Sequence, residues 1–465
     1  MPPKRALETT TTRSVSPPSK KATKASTIET TETTVAVKKT TTKTVEEKTT
    51  QGSPKKRIKS TTTKSAVASF FTATSKKPPV EKSPTSWNVV EETLLVGKYT
   101  RAGEEGNRGE RRKIAGFDLD GTLIATQSGN KFAKNDADWK WWRECVPSKL
   151  KELHEEGYQI IIFTNQGGIK APKKNHANLP KFKSKVAAVL NALDIPLTVY
   201  AATEKDRFRK PRTGMWQEMI DDYNLDVHGV DLENSYLVGD AAGRKGDFAD
   251  SDRHWALNVG IKFHTPEEFF LGEAAQEMSH RFDPENYIAD KESGGDKLLF
   301  APKAEKELVM FVGPPAAGKS TFFRKNLEPL GYERVNQDTL KTKEKCVKVA
   351  RELLSQGKNV VIDNTNPEAS TRLIWVTLAK EYGYKLRCLY FNSPIELCHH
   401  NDAVRAFGGD TFNPDKRTLL PGIAFNTFTG RFAKPSKDEG FDVEEITFEF
   451  NGTEEERKIW SKYWT

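Results

Sequence analysis

The sequence predicts an α/β chain with two modules, each a mainly parallel sheet with helices on both faces, preceded by a disordered tail. Short apolar runs recur along residues 87–465, and several of them end in polar residues directly before a helix-like block. This order is typical of strands and helices in parallel sheets. Residues 1–86 contain no such runs. We therefore expect a tail at 1–86, one α/β module at 87–300 and a second at 301–465.

The tail carries the net positive charge of the chain. Residues 1–86 hold 18 Lys and Arg against 6 Asp and Glu, whereas the whole chain has a net charge of +9, so the remainder is slightly acidic. A segment this polar buries too little apolar surface to offset its ordering entropy, which predicts disorder. No apolar run approaches the roughly 18 residues that a membrane span needs. The four cysteines form no CxxC pair, which argues against a disulfide framework or a structural zinc site.

A pair of carboxylates marks the first module. The apolar run 113–117 ends in Asp118 and Asp120, which stand two apart and therefore point to the same side of a strand. Gly121 permits an immediate turn, and Thr122 can contact an oxyanion. Such a pair suits a Mg²⁺ site, or an aspartyl nucleophile beside an acid/base carboxylate. The alternative is a solvated strand end.

Further polar groups follow in the same module at the ends of apolar runs or just before a helix. They are Thr164, Asn165, Lys210 and Asp240. The hydroxyl and amide can hold phosphate oxygens, Lys210 can neutralise a phosphate, and Asp240 can complete a metal site. An ordinary surface lysine is the alternative for Lys210. Asp247 and Asp252 fit either a metal site or the tying down of a loop.

These stretches resemble the four motifs of the haloacid dehalogenase superfamily of phosphatases, and FDLDGTLI, IIFTNQGGI, RKPRTGMW and VGDAAGR resemble the polynucleotide kinase 3′-phosphatase family. The resemblance implies that Asp118 is the nucleophile and Asp120 the general acid/base. It implies that Asp118, Asp240 and the Asp120 main-chain carbonyl bind Mg²⁺. It also implies that Thr164 and Lys210 hold the phosphate.

The second module opens with a phosphate-binding loop. An apolar run at 307–312 leads into Gly313-Pro-Pro-Ala-Ala-Gly318-Lys319-Ser320-Thr321 and then into helix-like sequence. Main-chain N–H groups of such a loop wrap phosphates, Lys319 meets the β- and γ-phosphates, and Ser320 serves Mg²⁺. ATP is therefore the predicted phosphoryl donor, with Thr321 next to the nucleotide.

The acceptor side of the second module is predicted from strand ends and one helix. Asp338 is the candidate base for an acceptor hydroxyl, or the N-cap of the following helix. For Asp363 the sequence favours two roles equally: support of the metal or the acceptor, and the cap of a helix. Arg405 is the candidate lid cation. We expect no metal at His399-His400, because adjacent residues do not share a helix face.

GPPAAGKST, VNQDT and IDNTNP resemble the kinase half of the same family, in the same order along the chain. The resemblance implies that Asp338 activates a DNA 5′-hydroxyl, that Lys319 and Arg405 stabilise the transferring phosphoryl group, and that Arg372 contacts the acceptor. The implied partners are DNA ends at nicks, gaps and strand breaks, together with other repair proteins, in the nucleus. Animal members begin with a forkhead-associated domain, whereas this chain begins with the tail.

The tail holds two candidate recognition elements. The basic clusters Lys4-Arg5 and Lys55-Lys56-Arg57 favour nuclear import, with a solvated linker as the alternative. The spacing of Val67, Phe70 and Phe71 would let one short helical turn present them together. The segment resembles a sliding-clamp-binding peptide, with a chance aromatic pair as the alternative.

Three functions compete. The first is DNA end healing: removal of 3′-phosphates and ATP-dependent phosphorylation of 5′-hydroxyls. The second is a bifunctional small-molecule kinase/phosphatase, which the slightly acidic body favours. The third is a non-catalytic scaffold, which has no need for complete motifs. A basic stretch within 170–185, with Phe182 among its lysines, favours nucleic acid, or is a solvated helix face.

Overall fold

The computed structural model describes residues 84–101, 111–169, 178–288 and 299–465. Most of the tail, including Val67, Phe70 and Phe71 and both basic clusters, lies outside the described residues. The first strand begins at Thr85, within the range that the sequence assigns to the tail. No helix in the described ranges is long and apolar enough to cross a membrane.

The first sheet has seven strands among the described residues, in the order β1-β2-β7-β6-β3-β8-β9. Strands β1 and β2 pair antiparallel, as do β2 and β7, and the other neighbours are parallel. The bounds are β1 Thr85–Val90, β2 Leu94–Tyr99, β3 Ile114–Phe117, β6 Gln159–Asn165, β7 Leu197–Ala202, β8 Tyr236–Val238 and β9 Lys262–His264, with a separate ladder of β4 Ile124–Ala125 and β5 Lys140–Trp141.

Helices cover both faces of this sheet. Their bounds are α1 Val146–Glu155, α2 Asn178–Leu193, α3 Gly214–Asp222, α4 Leu225–His228 and α5 Ser251–Val259. Alternate residues of β6 enter different cores: Ile160 and Ile162 pack with α1 and α2, and Ile161 and Phe163 pack with α3 and α5. A strand that is apolar on both sides must be covered on both sides, so the continuous run IIIF dictates this three-layer arrangement.

The second sheet is parallel throughout, in the order β11-β12-β10-β13-β14. Its strands are β10 Glu307–Val312, β11 Glu333–Val335, β12 Val360–Ile362, β13 Lys385–Phe391 and β14 Asp442–Ile446. The α-helices described with it are α6 Lys319–Phe322, α7 Gln337–Leu340, α8 Lys343–Ser355, α9 Ala369–Tyr382, α10 Ile395–Phe407, α11 Gly422–Arg431 and α12 Glu454–Trp460. Strand β10 is buried on both faces, with Met310 in one core and Phe311 in the other.

The predicted fold class is confirmed, since both sheets are mainly parallel and packed between helices. The carboxyl ends of parallel strands meet at one edge of a sheet, where open α/β sheets bind their ligands. Asp118 follows β3, Asp240 follows the neighbouring β8, and the phosphate-binding loop follows β10. Each sheet therefore presents some of the predicted site residues at that edge.

Candidate active sites

Three carboxylates meet at the carboxyl edge of the first sheet. In the described part of the chain, Asp118, Asp240 and Asp252 form the one group whose ligand atoms all lie within 4.8 Å of one another. Asp118 continues β3, and its N–H donates to the Val238 carbonyl at 2.9 Å. Asp252 comes from the first turn of α5 and is 2% exposed. Oxygen donors gathered in this way fit Mg²⁺.

Glycines make room for this cluster. Gly121 has φ +88°, and a Cβ built on it would lie 2.5 Å from the Asp240 Oδ2. A Cβ on Gly239 would lie 2.4 Å from the Asp252 Oδ2. Side chains at either position would displace a carboxylate, so both glycines are required by the close approach of the backbone.

Lys210 is the buried cation of the cluster. Its Nζ lies 2.7 Å from the Asp118 Oδ1 and 2.9 Å from the Asp252 Oδ1, and it donates to the Phe163 carbonyl at 2.7 Å. The side chain is 1% exposed, so it is not an ordinary surface lysine. Burial opposes its charge, but the two carboxylates outweigh burial and raise the Lys210 pKa.

The carboxylates are also perturbed. Burial raises the pKa of Asp118 well above its usual range; Lys210 opposes this rise, and the Asp252 and Asp240 charges add to it. Burial and the Asp252 charge raise the pKa of Asp240 to about 7. Negative charge is therefore crowded here, and a divalent cation would relieve that crowding.

The Asp120 carboxylate lies apart from this cluster. It is 51% exposed, and it accepts hydrogen bonds from the Lys185 Nζ and the Gln166 Nε2, both at 2.8 Å. Gln166 also donates to the Thr164 Oγ1 at 3.0 Å, which links Asp120 to the predicted phosphate-binding hydroxyl. An exposed carboxylate beside the buried Asp118 is suited to exchanging protons with a substrate and water.

Asn165 and Thr122 occupy supporting positions. The Asn165 amide donates to the Lys210 carbonyl at 3.1 Å and accepts from the Lys210 N–H at 3.0 Å, so it fixes the backbone that carries the lysine. The Thr122 hydroxyl is fully buried and lacks a hydrogen-bond partner among the described residues.

Asp247 and Asp252, for which the sequence left a metal site or a loop contact open, have different surroundings. Asp252 belongs to the carboxylate cluster, whereas Asp247 accepts from the Ala242 and Arg244 N–H groups at 3.2 and 3.0 Å. Asp247 therefore ties down the loop after Asp240.

The basic stretch is described from residue 178 onward. Lys185 is 11% exposed and reaches Asp120, so it faces the site and is not part of a solvated face. Phe182 is buried in the core, which makes the expectation of a nucleic-acid contact there wrong for this ring.

The second sheet holds the phosphate-binding loop in a strand–loop–helix context. Gly318 has φ +88° and caps α6, in which Lys319, Ser320 and Thr321 lie. The Lys319 Nζ donates to the carbonyls of Gly313, at 3.0 Å, and Pro314. Burial lowers the pKa of Lys319 to about 8, and Asp363 opposes that shift. A bound triphosphate would displace these carbonyls and give Lys319 an anionic partner.

Ser320 belongs to a charged cluster with Asp363 and Arg334. The Ser320 hydroxyl donates to the Asp363 Oδ2 at 2.8 Å, and the Arg334 guanidinium donates to both side chains, at 2.8 Å from its Nε to Asp363. Asp363 is 2% exposed and caps no helix, since α9 is preceded by Glu368 at the N-cap. Hydroxyl and carboxylate oxygens fit the Mg²⁺ of a bound nucleotide. The sequence did not single out Arg334.

Asp338 lies at the mouth of this site. Its carboxylate is 69% exposed, and the Arg417 guanidinium donates to its Oδ2 at 2.9 Å. The N-cap alternative is wrong, because the Asn336 side chain caps α7 by accepting from the Thr339 N–H. An exposed carboxylate is accessible to an incoming hydroxyl, as a general base requires.

Two predicted arginines differ in their surroundings. Arg405 is 23% exposed on α10, where it pairs with the Asp402 carboxylate. Arg372 is 1% exposed and donates to both Glu439 carboxylate oxygens at 2.7 Å and to three carbonyls. The expectation that Arg372 contacts the acceptor is therefore wrong, because its guanidinium nitrogens hydrogen-bond to Glu439 and to main-chain carbonyls inside the protein.

The two histidines of α10 contact different parts of the fold. The buried His400 Nε2 lies 2.9 Å from the Trp460 carbonyl, and the His399 ring packs on Phe425 at 4.0 Å.

A carboxylate–lysine site on one α/β sheet and a phosphate-binding loop on another define a protein with two phosphoryl-transfer sites. The family model described as polynucleotide kinase 3 phosphatase matches residues 113–270, and an AAA domain model matches residues 308–346 and 341–435. A bifunctional polynucleotide phosphatase/kinase of Schizosaccharomyces pombe is 42% identical over 371 residues, covering 79% of this chain and 86% of the relative. The chain belongs to the bifunctional polynucleotide phosphatase/kinase family.

Two further relatives match one part of the chain. A polynucleotide 3′-phosphatase of Arabidopsis thaliana is 36% identical over 173 residues, covering 35% of this chain and 24% of the relative. A polynucleotide 3′-phosphatase of Saccharomyces cerevisiae is 28% identical over 208 residues, covering 34% of this chain and 87% of the relative.

Proposed function

We propose that this chain heals DNA ends by removing 3′-phosphates at the first site and phosphorylating 5′-hydroxyls with ATP at the second. Its products are 3′-hydroxyl and 5′-phosphate termini, which are ligatable. The observation that carries the proposal is the pairing of a complete Asp118–Lys210 site with a complete phosphate-binding loop in one chain. A scaffold has no physical need for either arrangement.

The first reaction begins at Asp118. Its carboxylate attacks the phosphorus of the 3′-phosphate, the bond from phosphorus to the 3′-oxygen breaks, and the leaving oxygen takes a proton from Asp120. Water then attacks the aspartyl-phosphate, Asp120 takes a proton from that water, and inorganic phosphate leaves with Asp118 regenerated. Lys210 neutralises the transferring group from its fixed position.

Mg²⁺ fits beside this nucleophile. Asp118, Asp240 and Asp252, with the Asp120 carbonyl as a further candidate, would hold it, and it would supply positive charge against the phosphate oxygens. Thr122 and Thr164 offer hydroxyls to the same oxygens, and Asn165 keeps Lys210 in place through its backbone.

The second reaction uses the phosphate-binding loop. Asp338 accepts the proton of the 5′-hydroxyl as that oxygen attacks the γ-phosphorus of ATP, and ADP leaves. Lys319 and Arg405 stabilise the transferring charge. Gly313, Gly318 and Thr321 shape the nucleotide pocket, and Ser320 with Asp363 would hold the nucleotide's Mg²⁺.

Exposed aromatic rings support a polynucleotide substrate over a small molecule. Phe132 and Phe248 are 78% and 80% exposed, and they lie on the loops that follow Asp118–Thr122 and Asp240. The Lys131 Nζ lies 5.8 Å from the first ring centroid and 4.6 Å from the second. Rings with an adjacent cation suit stacking of unpaired bases beside a phosphate backbone, whereas a sugar phosphate needs neither.

The tail and the cellular setting are part of this proposal. The basic clusters of the tail would serve nuclear import, and Val67, Phe70 and Phe71 would bind a sliding clamp. Other repair proteins are the remaining partners. A tail peptide with Phe70→Ala and Phe71→Ala should lose clamp binding, and equal retention would contradict that assignment.

The test of the proposed function is a nicked duplex with 3′-phosphate and 5′-hydroxyl ends, incubated with Mg²⁺ and ATP. Asp118→Ala should lose only dephosphorylation, and Lys319→Ala only phosphorylation. Asp231→Ala and Lys358→Ala serve as matched controls, because both side chains are away from the two clusters. If the unmodified chain leaves the DNA unchanged but hydrolyses small phosphate esters, the small-molecule function replaces this one.

A further inference from the structure

The segment around Tyr463 contacts the loop that carries Lys210 and the helix that carries Asp252. Asn258, on α5, donates from its Nδ2 to the Pro211 carbonyl at 2.9 Å and to the Tyr463 carbonyl at 2.6 Å. The Tyr463 N–H donates back to the Asn258 Oδ1 at 2.9 Å. The Asn258 amide therefore links Pro211, the residue after Lys210, to Tyr463.

The Tyr463 ring adds a second contact on the same helix. It stacks on His254 with ring centroids 3.8 Å apart and planes 12° apart. It also lies parallel to His280 at 5.2 Å. His254 is 2% exposed and follows Asp252 by two residues on α5. The helix that supplies a carboxylate to the site is thus braced by an aromatic ring from residues 301–465.

A third contact reaches the Lys210 loop directly. The Arg212 guanidinium lies over the Phe407 ring, 4.7 Å from its centroid, and Arg212 is 9% exposed. Its NH1 donates to the Asp206 carbonyl at 2.9 Å, so the cation also closes its own loop. Phe407 ends α10, the helix that carries Arg405.

We infer that Asn258 and Tyr463 are positioning residues for dephosphorylation, through which the kinase half holds Lys210 and Asp252 in register with Asp118. Phe407 supports the same loop through Arg212. The inference rests on the proposed roles of Asp118 and Lys210. It means that the two activities share one structural support, although their chemistry is separate.

The required precision explains why such a brace matters. Lys210 must reach two carboxylates at 2.7 and 2.9 Å while it is 1% exposed. Its neighbour Pro211 is tied to α5 by the Asn258 amide, and Asp252 moves with α5. A displacement of about 1 Å in such a constellation costs about a hundredfold in rate. Loss of one tether should cost less, because the other contacts remain.

The experiment compares Asn258→Ala and Tyr463→Ala in the full chain. With a 3′-phosphorylated oligonucleotide we expect kcat for phosphate release to fall about tenfold in each variant, with KM little changed. The rate of 5′-phosphorylation in the same samples should stay at the level of the unmodified chain. Tyr463→Phe, which keeps the stacked ring, should restore the phosphatase kcat.

Leu257→Ala is the matched control, because it lies beside Asn258 on α5 and is 50% exposed. Unchanged kcat in both variants would overturn the inference. A parallel loss of both activities, with a lowered melting temperature, would also overturn it, because the contact would then serve folding alone. If the unmodified chain itself releases no phosphate, the proposed function fails first, and that result is distinct from the others.

Discussion

Gly121→Ala should inactivate the phosphatase by displacing a single carboxylate. The added Cβ would lie 2.5 Å from the Asp240 Oδ2 and 2.9 Å from its Cγ. Non-bonded heavy atoms prefer about 3.5 Å, so the carboxylate has to move by about 1 Å. A shift of that size at a reacting centre costs about a hundredfold in rate. The residue also has φ +88°, which costs a non-glycine residue about 1–2 kcal/mol.

Gly157→Ala separates the backbone strain from the displacement. Gly157 has φ +86°, but nothing lies within 4 Å of a Cβ built there. Both variants should therefore lose about 1–2 kcal/mol of stability. Only Gly121→Ala should lose phosphate release from a 3′-phosphorylated oligonucleotide, and both should keep 5′-kinase activity. If Gly121→Ala releases phosphate as fast as Gly157→Ala does, the close approach to Asp240 does not govern the site.

Three further predictions concern the kinase half. Arg372→Ala should lower the free energy of unfolding by about 3 kcal/mol, because Glu439 loses its buried partner. Thermal melting measures this loss. A raised KM for the DNA acceptor with unchanged stability would contradict the prediction. Arg334→Ala leaves Asp363 without the guanidinium that pairs with it. The kinase kcat should therefore fall about tenfold while the phosphatase rate stays unchanged. Equal loss of both rates would refute a role of Arg334 in the kinase site. Burial lowers the pKa of His400 from 6.5 to about 4. The unfolded chain therefore binds a proton that the folded chain does not, and stability is lost as the pH falls below 6.5, by about 2 kcal/mol at pH 5. Melting at pH 7 and pH 5 should show a smaller pH effect in His400→Leu, and an equal effect would exclude His400 as its source.

Residues that end strands were predictable from the sequence. Asp118, Asp240 and the phosphate-binding loop each follow an apolar run, and parallel strands bring such ends to one edge of the sheet. The local pattern therefore determines both the element and the position of the chemistry. The continuous apolar character of β6 and β10 likewise predicted sheets that are covered on both faces.

Residues that reach the sites from helices and from strand faces were not predictable in the same way. Lys185 reaches Asp120 from the middle of α2, and Arg334 reaches Asp363 from a neighbouring strand. Neither has a local signal, because its partner is set by packing between elements. Arg372 shows the opposite error: its place beside IDNTNP suggested an acceptor contact, but its burial depends on Glu439, which lies 67 residues away.

Helix α5 explains how one fold can couple the two activities without a shared active site. Its first turn supplies Asp252 to the carboxylate cluster, its middle presents His254 to the Tyr463 ring, and Asn258 near its end holds the Lys210 loop. A rigid helix transmits a displacement at one end to the other, because its backbone hydrogen bonds resist bending. The kinase half therefore acts on dephosphorylation through packing alone, and substitutions at this contact should change one rate and leave the other. An end-healing protein benefits from that arrangement, since a chain whose second half is misfolded would release phosphate more slowly from ends that it cannot then phosphorylate.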